Sequence, residues 1–309
     1  MIKLCVGELL STTLVAAYLR ELGVAADWTD VRDLLRTDDN YRDARVDWAY
    51  SEPRIRSVAA QLGSSGVLVT QGFIGATADN ESTTLGREGS DYTAAIFSNV
   101  LEAENLSIWK DVAGVMSADP KKYPEATLLP SLSFAEVIEM AYYGAQVIHP
   151  KTIKPLHNKG IPLLVKCFLD ASLPGTRIEA RGERQLPPMI IHKDNQLLVK
   201  LTTRDFIFIN ETTMSHLYRL LDKAGVQPSL IQSGAISISL CLDNKAEKIA
   251  SFCGAAEAYF DVQVQPGLEL LTVRHYQPEV VTKYTAGKQP LLIQQSPSTF
   301  QQLSLSDPA

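Results

Sequence analysis

The sequence predicts an α/β fold in its first part and an α+β fold in its second. Over the first 178 residues, short apolar runs alternate with helical patterns of roughly ten to fifteen residues, which is typical of a largely parallel sheet covered on both faces. After a charged stretch with two prolines, the order becomes strand, helix, strand, strand, helix, strand, a ferredoxin-like unit. With 309 residues, the chain has the length of about two domains.

The first predicted helix spans Glu8 to Leu22. Four apolar or aromatic residues recur on one side of it, and Gly23 supplies a stop signal. These residues are Leu10, Leu14, Ala17 and Tyr18. The pattern predicts a helix whose two sides differ in hydrophobicity.

The next elements surround a glycine-containing loop. Val67 to Thr70 is a short apolar run just before Gly72, as expected of a buried strand that leads into such a loop. Ser90 is a candidate N-cap for a helix running to about Glu104, and Leu106 to Trp109 is the next strand. The sequence thus predicts strand, loop, helix and strand in succession.

Two further elements complete the first part. Ser133 and Glu136 stand three residues apart ahead of an apolar run, the spacing of a capping box, and Gly144 ends that helix. Ile161 to Phe168 is predicted to be one more strand.

The second part follows the segment Glu179 to Pro188, whose composition suits a linker. We predict a domain at 1–178, a linker at 179–195, a ferredoxin-like unit at 196–265 and a shorter copy at 266–309 that stops after its βαββ part. The predicted elements of the first unit are, in order, a strand at 197–202, a helix at 214–224, strands at 228–232 and 235–242, a helix at 246–259 and a strand at 262–264.

Composition excludes several classes of function. Hydrophobic residues make up 45 % of the chain, charged residues 21 %, and the net charge is -6 without a Lys/Arg cluster, so nucleic acid is not an expected partner. No apolar run approaches the ~18 residues needed to span a bilayer, and we expect a cytoplasmic protein. The cysteines and histidines are dispersed, which predicts buried reduced thiols and no metal site.

The stretch TTLGREGSD, Thr83 to Asp91, combines glycines, an arginine and a carboxylate just before a helix. Unpaired amides at a helix N-terminus together with Arg87 make an anion site, since guanidinium binds carboxylate or phosphate through two parallel hydrogen bonds. The alternative is a solvated turn with a surface arginine. Asp91 has two interpretations as well, a functional and a structural one, because an acid in the first helical turn stabilises a helix by ~0.3 to 1 kcal/mol without any function.

A second candidate segment is WKDVAGVMSADPKKYPEA, which follows a predicted strand. Open α/β sheets bind ligands outside the carboxyl ends of their strands, where this segment turns through Asp111, Gly114 and Asp119. A plain turn at Asp119-Pro120 is the alternative. Neither a G-x-x-x-x-G-K-[ST] nor a G-x-G-x-x-G motif is present, so a bound nucleotide would use another scaffold.

Five segments in this order, QGFIGAT, TTLGREGSDYTAA, IWKDVAGVMSADP, YYGAQVIHPKT and PGTRI, resemble the aspartate kinases of the amino-acid kinase family. The βαββαβ tail resembles the regulatory ACT domains of the same enzymes. The resemblance implies an amino-acid-kinase-type three-layer sandwich, incomplete at its N-terminus, followed by ACT units. It also implies phosphoryl transfer from Mg-ATP to the β-carboxylate of L-aspartate, the first step of lysine, threonine and methionine biosynthesis.

The resemblance assigns roles by position. It implies that Asp91 is a catalytic carboxylate that organises the other groups, and that Arg87 acts in both catalysis and substrate binding. Aspartate-binding roles fall on Glu8, Arg87, Glu88, Gly89 and Ser90. Nucleotide-binding roles fall on Lys110, Asp111, Met116, Asp119, Lys121, Gln146 and Val147. ATP with its Mg²⁺ is the implied cofactor, and no metal held by the protein is implied.

The sequence departs from the family pattern at several positions. Family members open on a strand with K-F-G-G-T-S, whose lysine supports the transferring phosphate, and this motif is absent here. Gln146 stands where many members have lysine, Glu88 replaces a glycine, Met116 an aromatic residue and Lys121 an arginine. Since removal of one oriented donor typically costs ~3 kcal/mol, losing two lysines would weaken charge stabilisation by several kcal/mol.

Three hypotheses follow. The chain is an aspartate kinase or the greater part of one, truncated or dependent on a partner. Alternatively, it is a catalytically incompetent regulatory relative that assembles or binds effectors through ACT domains. A third candidate, another carboxylate or carbamate kinase, is disfavoured by the ACT-like tail.

The tail itself carries an expectation. ACT units pair side by side and hold an amino acid between them, with lysine or threonine as the family's feedback inhibitors. We expect the loop before the Met214 helix and the Ile231 to Ala235 connection to line such a groove. Exposed strand edges favour a homodimer through the tail. A packing domain that serves only dimerisation is the alternative.

Overall fold

The computed structural model describes residues 2–62, 66–183 and 185–306, and the side chains of all of these except 2–4 and 205. The chain forms two compact units. The first comprises Met1–Val115, Leu128–Ala141 and Gln146–Glu183, and the second comprises Met116–Thr127, Tyr142–Ala145 and Arg184–Ala309. No helix of the described ranges is long and apolar enough to cross a membrane.

The first unit contains helices and strands in mixed order, and successive strands and successive helices interrupt the alternation that the sequence predicts. The elements are α1 (Ile2–Glu21), β1 (Ala26–Trp28), a 3-10 turn (Val31–Asp33), α2 (Trp48–Gln61), β2 (Val67–Val69), β3 (Ile74–Ala76), β4 (Ser82–Thr84), α3 (Gly89–Leu101), β5 (Leu106–Lys110), β6 (Ser131–Ser133), α4 (Phe134–Tyr143, which ends in the second unit), α5 (Pro150–Lys159), β7 (Leu163–Cys167) and β8 (Thr176–Glu179).

The strands of the first unit form three separate sheets. β1 pairs with β2 in parallel, β3 and β4 form an antiparallel hairpin, and the third sheet has the order β5-β7-β8-β6. In the third sheet, the β5–β7 and β6–β8 pairs are parallel and the β7–β8 pair is antiparallel. The sheet is therefore mixed rather than largely parallel. The prediction of a buried strand at β2 is also wrong, since Val67 is exposed and its neighbours are half-buried.

Apolar residues from several elements build the core of the first unit. Leu35, Ile55, Ile74, Leu85 and Ile96 are fully buried in one cluster. They come from the segment after the 3-10 turn, α2, the β3–β4 hairpin with the residue that follows it, and α3, so the core packs the hairpin against α3.

Of two helix caps predicted from the sequence, one is confirmed and one is wrong. The amide of Glu136 donates to Ser133 Oγ at 3.1 Å, as the capping-box spacing predicts, and Gly144 follows α4 with a φ of 110°. The prediction that Ser90 caps α3 is wrong. Glu88, with a φ of 53°, is the N-cap residue and makes no side-chain cap bond, while Ser90 lies in the first turn of α3. The left-handed conformation of Glu88 starts the helix earlier than the sequence signal suggests.

The main body of the second unit is one antiparallel six-stranded sheet with helices. Its elements are β9 (Met189–Thr203), a 3-10 turn (Arg204–Phe206), α6 (Glu211–Ala224), β10 (Leu230–Ser233), β11 (Ser237–Asp243), α7 (Ala246–Ala256), β12 (Phe260–Arg274), α8 (Pro278–Thr285), β13 (Pro290–Gln295) and β14 (Thr299–Leu305). The strand order is β10-β11-β9-β12-β14-β13.

This order contains the predicted ferredoxin-like unit. Strands β12-β9-β11-β10 occupy the order 4-1-3-2 of a βαββαβ motif, and β12-β14-β13 repeat the order 1-3-2 of a shorter copy. Residues 189–195, which the sequence assigns to a linker, form the first half of β9. That half pairs with residues 270–274 of β12, so it supplies the fourth strand that the short copy lacks.

Cysteine burial agrees with the prediction of reduced thiols. Cys5, Cys167 and Cys241 are buried and unpaired, and Cys253 is half-buried. Burial raises the pKa of the Cys241 thiol to about 12. The thiol therefore stays protonated and behaves as a small apolar side chain.

His192 is the titratable centre of a polar cluster in the second unit. Its Nδ1 lies 2.9 Å from Tyr123 Oη, and its Nε2 lies 3.2 Å from Asp194 Oδ1 and 3.4 Å from Glu269 Oε2. Lys122 pairs with Asp194 and Lys288 pairs with Glu269. Burial lowers the pKa of His192, and Lys122 lowers it further, while Glu269 raises it.

This lowered pKa predicts a pH-dependent stability. Because the folded chain binds the His192 proton less readily than the unfolded chain, the contribution is fully present above the unfolded pKa of about 6.5 and is lost as pH falls through the folded pKa. We expect a smaller loss of stability between pH 7 and pH 5 in His192→Gln than in the wild type, measured by urea unfolding followed by circular dichroism. An unchanged pH dependence would contradict the expectation.

Candidate active site

Gln71 anchors the loop between β2 and β3 through two side-chain hydrogen bonds. Gln71 is completely buried, its Oε1 accepts a hydrogen bond from Val31 N at 2.8 Å, and its Nε2 donates to Thr12 Oγ1 at 2.8 Å. The following residue, Gly72, lies so close to α3 that a Cβ would stand 2.7 Å from Ser90 Cα. Only glycine therefore lets this loop contact the first turn of α3.

The loop between β4 and α3 approaches the same place. Gly86 and Glu88 both have positive φ values, 83° and 53°, and Gly89 N donates to Gly86 O at 3.1 Å. Gly89 is also restricted, since a Cβ there would lie 2.8 Å from Phe73 Cδ2. Two backbone loops thus converge on the N-terminus of α3, where first-turn amides lack intrahelical partners and the helix dipole favours a negative charge.

A carboxylate and an ammonium group meet beside this helix N-terminus. Asp91 lies in the first turn of α3, and its Oδ2 is 3.4 Å from Lys110 Nζ at the end of β5. Lys110 Nζ also donates to Val147 O at 3.3 Å. The two side chains are 19 % and 28 % exposed, so the pair is partly shielded but open to a ligand. The structure therefore brings together three of the predicted site residues, Asp91, Lys110 and Val147.

The protonation of Asp91 reflects this position. Burial raises the pKa of the Asp91 carboxyl, the Lys110 ammonium lowers it, and Glu88 raises it. Removal of Lys110 would therefore favour the neutral acid. The ion pair holds the Lys110 side chain next to the α3 terminus.

Glu88 has a structural partner that sequence reasoning missed. Its Oε2 accepts a hydrogen bond from His149 N at 2.8 Å, and His149 is the N-cap residue of α5, with Nδ1 accepting from Lys151 N at 3.2 Å. Burial lowers the pKa of His149, while Glu88 raises it. The glutamate that replaces a family glycine thus joins the loop before α3 to the start of α5, where a carboxylate also complements the helix dipole.

Three predicted substrate-binding residues differ in position, since Arg87 and Ser90 lie at the N-terminus of α3 and Glu8 lies on α1. Arg87 and Ser90 are exposed and Glu8 is half-buried. In the described parts of the chain, neither the Arg87 guanidinium nor the Glu8 carboxylate has a hydrogen bond or ion pair to another side chain. Arg87 still acts on its surroundings, since it contributes to the lowered pKa of His149. These groups remain available for a ligand.

The predicted nucleotide-binding residues divide between the two units. Lys110, Asp111, Gln146 and Val147 belong to the first unit, where Asp111 and Gln146 are exposed; Met116, Asp119 and Lys121 belong to the second.

In the second unit, Asp119 stabilises a turn through hydrogen bonds to nearby amides. Its Oδ1 accepts from Lys121 N at 2.9 Å, and its backbone oxygen accepts from the amides of Lys122 and Tyr123. This is the turn that the sequence allowed as an alternative for Asp119-Pro120.

The backbone after β5 requires glycine at one point. Gly114 has a φ of 152°, and a Cβ there would lie 2.6 Å from Thr176 Oγ1. That hydroxyl accepts a hydrogen bond from Val115 N at 2.8 Å and donates to Leu129 O at 2.7 Å. The segment that follows Lys110 and Asp111 is therefore tied to β8 by one buried threonine.

A possible cation site lies in the second unit. One atom each of His192, Asp194 and Glu269 lie within 4.8 Å of one another. Lys122 and Lys288 already pair with the two carboxylates, so their charge is balanced without a metal ion.

Gln71, Thr12 and His149 are the positioning residues that the sequence did not reveal. All three act through hydrogen bonds to segments between 40 and 61 residues away. The only sequence signal was the glycine after Gln71, which indicated a tight loop but not its anchor.

The comparison with protein families agrees with this architecture. The model of the amino acid kinase family matches residues 3–167, slightly more than half of the chain. The chain belongs to the amino acid kinase family. The resemblance stated from the five sequence segments is thereby confirmed at the level of the family.

Several proteins similar to this chain are aspartate kinases. The chain is 33 % identical over 278 residues to lysine-sensitive aspartokinase 3 of Escherichia coli, and the matched region covers 86 % of this chain and 61 % of that protein. The crystal structure of E. coli aspartokinase III with aspartate and ADP (R-state) matches with a TM-score of 0.82 and 30 % identity, covering 97 % of this chain and 70 % of that one.

A second state of the same enzyme also matches. The structure of E. coli aspartokinase III with lysine and aspartate (T-state) gives a TM-score of 0.75 at 29 % identity, covering 96 % of this chain and 70 % of that one. The chain thus spans about three fifths of the length of its curated E. coli relative. The predicted fold class, an α/β kinase fold with ACT-like units, is confirmed.

Proposed function

We propose that this chain is an aspartate kinase, or the greater part of one, that transfers a phosphoryl group from Mg-ATP to the β-carboxylate of L-aspartate. The observation that carries the proposal is the Asp91–Lys110 pair at 3.4 Å beside the N-terminus of α3, with Arg87 exposed in the loop before it. An anion-binding helix terminus, a fixed lysine and a free guanidinium are the groups that a phosphoryl donor and an acidic acceptor require.

The chemistry sets the role of each group. An aspartate carboxylate oxygen attacks the γ-phosphorus, the bond from that phosphorus to the β,γ-bridging oxygen breaks, and ADP leaves. Because the acceptor is already ionised, no general base is needed. Asp91 therefore acts by holding Lys110, and Lys110 neutralises negative charge that shifts between phosphate oxygens.

Substrate binding falls to the loop around α3. Arg87 would bind a carboxylate of aspartate in bidentate fashion, and the amide of Ser90 would donate to an anionic oxygen. The Gly89 amide already donates to Gly86 O, so Gly89 would contribute by letting the loop turn. Glu8 would bind the substrate ammonium group. Glu88 is engaged with His149 N, so its proposed contribution is to hold the loop rather than to contact aspartate.

ATP with its Mg²⁺ is proposed to bind at the carboxyl end of β5. Lys110, Asp111, Gln146 and Val147 belong to this region, and the resemblance adds Met116, Asp119 and Lys121. When bound, Mg²⁺ supplies charge neutralisation on the phosphates. The lysine at the end of β5 fits this need, since it is charged and already fixed by two partners.

Arg87→Ala is expected to raise KM for L-aspartate by at least about tenfold while changing KM for ATP little, because the guanidinium is proposed to bind only the acceptor. Arg87→Lys should recover part of the loss, since it keeps the charge but not the bidentate geometry. Steady-state ADP release at varied aspartate measures both. An Arg87→Ala enzyme with an unchanged KM for aspartate would remove Arg87 from the site.

Regulation by an amino acid is proposed for residues 196–265 and 266–309, as the two ACT units. The support is the ferredoxin-like strand order and the E. coli relative whose T-state structure is a complex with lysine and aspartate. The proposed groove lies at the loop before α6 and the 231–235 connection. Calorimetry with lysine and with threonine tests it, and no heat from either would count against an effector site.

Two accompanying properties are also proposed. A homodimer through the antiparallel sheet of the second unit follows from its edge strands β10 and β13, which each have a single strand partner among the described residues. A cytoplasmic location is consistent with the reduced cysteines.

A non-catalytic regulatory protein is the second candidate. It is favoured by Gln146, which is exposed and uncharged where many family members have a lysine. Aspartate-dependent turnover decides between the two candidates, because the regulatory protein would bind an effector without releasing ADP.

A further inference from the structure

The loop that carries Arg87 contains a residue in an unfavourable backbone conformation. Glu88 has a φ of 53° and a ψ of 34°, in the left-handed region that non-glycine residues adopt rarely. Such conformations persist where the surrounding structure holds them, and they are concentrated at functional sites. The contacts that hold Glu88 in place therefore indicate what positions Arg87.

The first contact joins the loop to the start of α5. The Glu88 carboxylate accepts a hydrogen bond from His149 N at 2.8 Å. The His149 ring has a separate partner, because its Nδ1 accepts from Lys151 N at 3.2 Å and so caps α5. His149 thus binds Glu88 through its backbone and fixes the first turn of α5 through its side chain.

The second contact comes from the segment 38–45. This segment lies against β4, where Ala44 N donates to Thr84 O at 3.0 Å. It places Asp43 so close to Gly86 that a Cβ at Gly86 would collide with Asp43 Oδ1. The residues directly before and after Arg87 in the chain are therefore both held by contacts from other segments.

Lys151 connects the two contacts. Its Nζ forms an ion pair with the Asp43 carboxylate, and its backbone amide donates to the His149 ring. Asp43, Lys151, His149 and Glu88 therefore form a continuous series of contacts from the segment beside β4, through the start of α5, to the loop before α3. We call these four residues the Arg87 clamp.

Stability alone explains the Arg87 clamp poorly. The Lys151 and Asp43 side chains are 36 % and 58 % exposed, and exposed ion pairs contribute little to stability. A left-handed glutamate costs free energy rather than adding to stability. Strain beside an exposed arginine, held by contacts on both sides, favours a role in positioning that arginine.

We propose that the Arg87 clamp positions Arg87 for a carboxylate of the acceptor and that its histidine makes this positioning depend on pH. Because Arg87 is itself proposed to bind aspartate, this role rests on the function proposed above. The members of the clamp are positioning residues, since they act on the backbone of the loop and need no contact with the substrate.

The pH dependence follows from the hydrogen bond of the His149 ring. Nδ1 accepts a hydrogen bond only while it carries no proton, so the neutral ring is the form that caps α5. Burial lowers the pKa of His149; of the charged groups that face it, Glu88 and Asp43 raise that pKa, and Lys151 and Arg87 lower it. Protonation removes the cap bond and adds a positive charge beside two others. The loop is therefore held at neutral pH and released as pH falls below about 6.5.

The first measurement is the affinity of the full 309-residue chain for L-aspartate, by titration calorimetry at pH 7 and at pH 5.5. The substrate's β-carboxyl, with a pKa near 3.9, stays ionised over this range. We expect Kd to rise at least about threefold at pH 5.5 in the wild type. His149→Asn keeps a good N-cap residue that does not titrate, and its Kd should be the same at both pH values. A Kd that falls at pH 5.5 would show that the imidazolium simply attracts the anion, and would overturn the proposal.

Two substitutions of Glu88 separate positioning from stability. Glu88→Gly loses the bond to His149 N but also removes the backbone strain, so urea unfolding should change little while Kd for aspartate rises about tenfold. Glu88→Gln keeps an acceptor oxygen and should restore the affinity at pH 7. Because Glu88 raises the pKa of His149, this variant should also move the pH dependence to lower pH. An unchanged Kd in Glu88→Gly would contradict the proposal.

Lys159 offers a matched control for Lys151. Both lysines lie on α5 and form an ion pair with another segment, and Lys159 pairs with Glu102 at 2.9 Å at the opposite end of the helix. Lys151→Ala should raise Kd about two- to fivefold, and Lys159→Ala should leave it unchanged. Equal effects of the two substitutions would remove Lys151 from the clamp.

Hydrogen exchange of residues 85–91 tests the Arg87 clamp without any substrate. At pH 7, these amides should exchange about tenfold faster in Glu88→Gly than in the wild type or in Glu88→Gln. Equal exchange in all three proteins would overturn the clamp whether or not aspartate binds. Faster exchange in Glu88→Gly, together with no binding of aspartate to the wild type, would support the clamp and count against the proposed function alone.

Discussion

Asp91→Asn is expected to lower kcat for aspartate phosphorylation by about 100-fold, comparable to the removal of one oriented charge-stabilising donor. The amide keeps the size of the side chain but removes the charge that holds Lys110 Nζ at 3.4 Å. Lys110 would retain only its hydrogen bond to Val147 O, at 3.3 Å, and could move away from the phosphates. KM for aspartate should change much less than kcat, because Asp91 is proposed to act on the transferring group.

The control for this variant is Asp39→Asn, which neutralises an exposed aspartate outside the site. It should leave kcat within about twofold of the wild type, as is usual for surface substitutions. Single-turnover measurements with excess enzyme would separate chemistry from ADP release. An Asp91→Asn enzyme with wild-type kcat would show that the ion pair serves stability alone.

Phe252→Ala is expected to cost about 3 to 5 kcal/mol of the unfolding free energy of the second unit. Phe252 is completely buried on α7 and packs in the cluster that includes Leu201, Leu217 and Phe260. Removal of the ring would leave a cavity between the helices and the sheet. The sheet cannot move in to fill it, because β11, β9 and β12 are each hydrogen-bonded to a strand on both sides.

Urea unfolding followed by far-UV circular dichroism measures this loss. With an m value of about 2 kcal/mol/M, the transition that includes the second unit should move by about 2 M. Phe252→Leu, which keeps most of the volume, should cost much less than the alanine variant. Equal shifts for the two variants would indicate that packing at Phe252 is not what stabilises this core.

The extent to which the sequence predicts this fold is clearest in the second unit. The order of strands and helices followed from apolar runs and glycine stops, because each element is defined by local periodicity. The length of β9 did not follow. Its first half, residues 189–195, begins with three apolar residues but ends in charged and polar ones, and it is a strand because β12 pairs with it across the sheet.

The helix α1 illustrates a second limit. The i, i+4 spacing of Leu10, Leu14 and Tyr18 correctly predicted a helix, but the buried side is the one with Cys5, Thr12 and Ala16. Periodicity gives the faces of a helix and not their orientation, which here depends on Trp28 and Gln71, distant in the sequence.

The candidate site was likewise predicted from the sequence only in part. The loop before α3 was recognisable from its glycines, its arginine and the acid that follows. The ion pair of Asp91 with Lys110 and the bond from His149 N to Glu88 join segments 19 and 61 residues apart. Neither has a local signal, because both depend on how β5 and α5 pack against α3.

The most direct test of the proposed function is a coupled assay of ADP release by the 309-residue chain with Mg-ATP, with and without L-aspartate. We expect ADP release that requires aspartate and that Asp91→Asn lowers about 100-fold. No aspartate-dependent release from folded protein would contradict the proposed activity and favour the regulatory alternative.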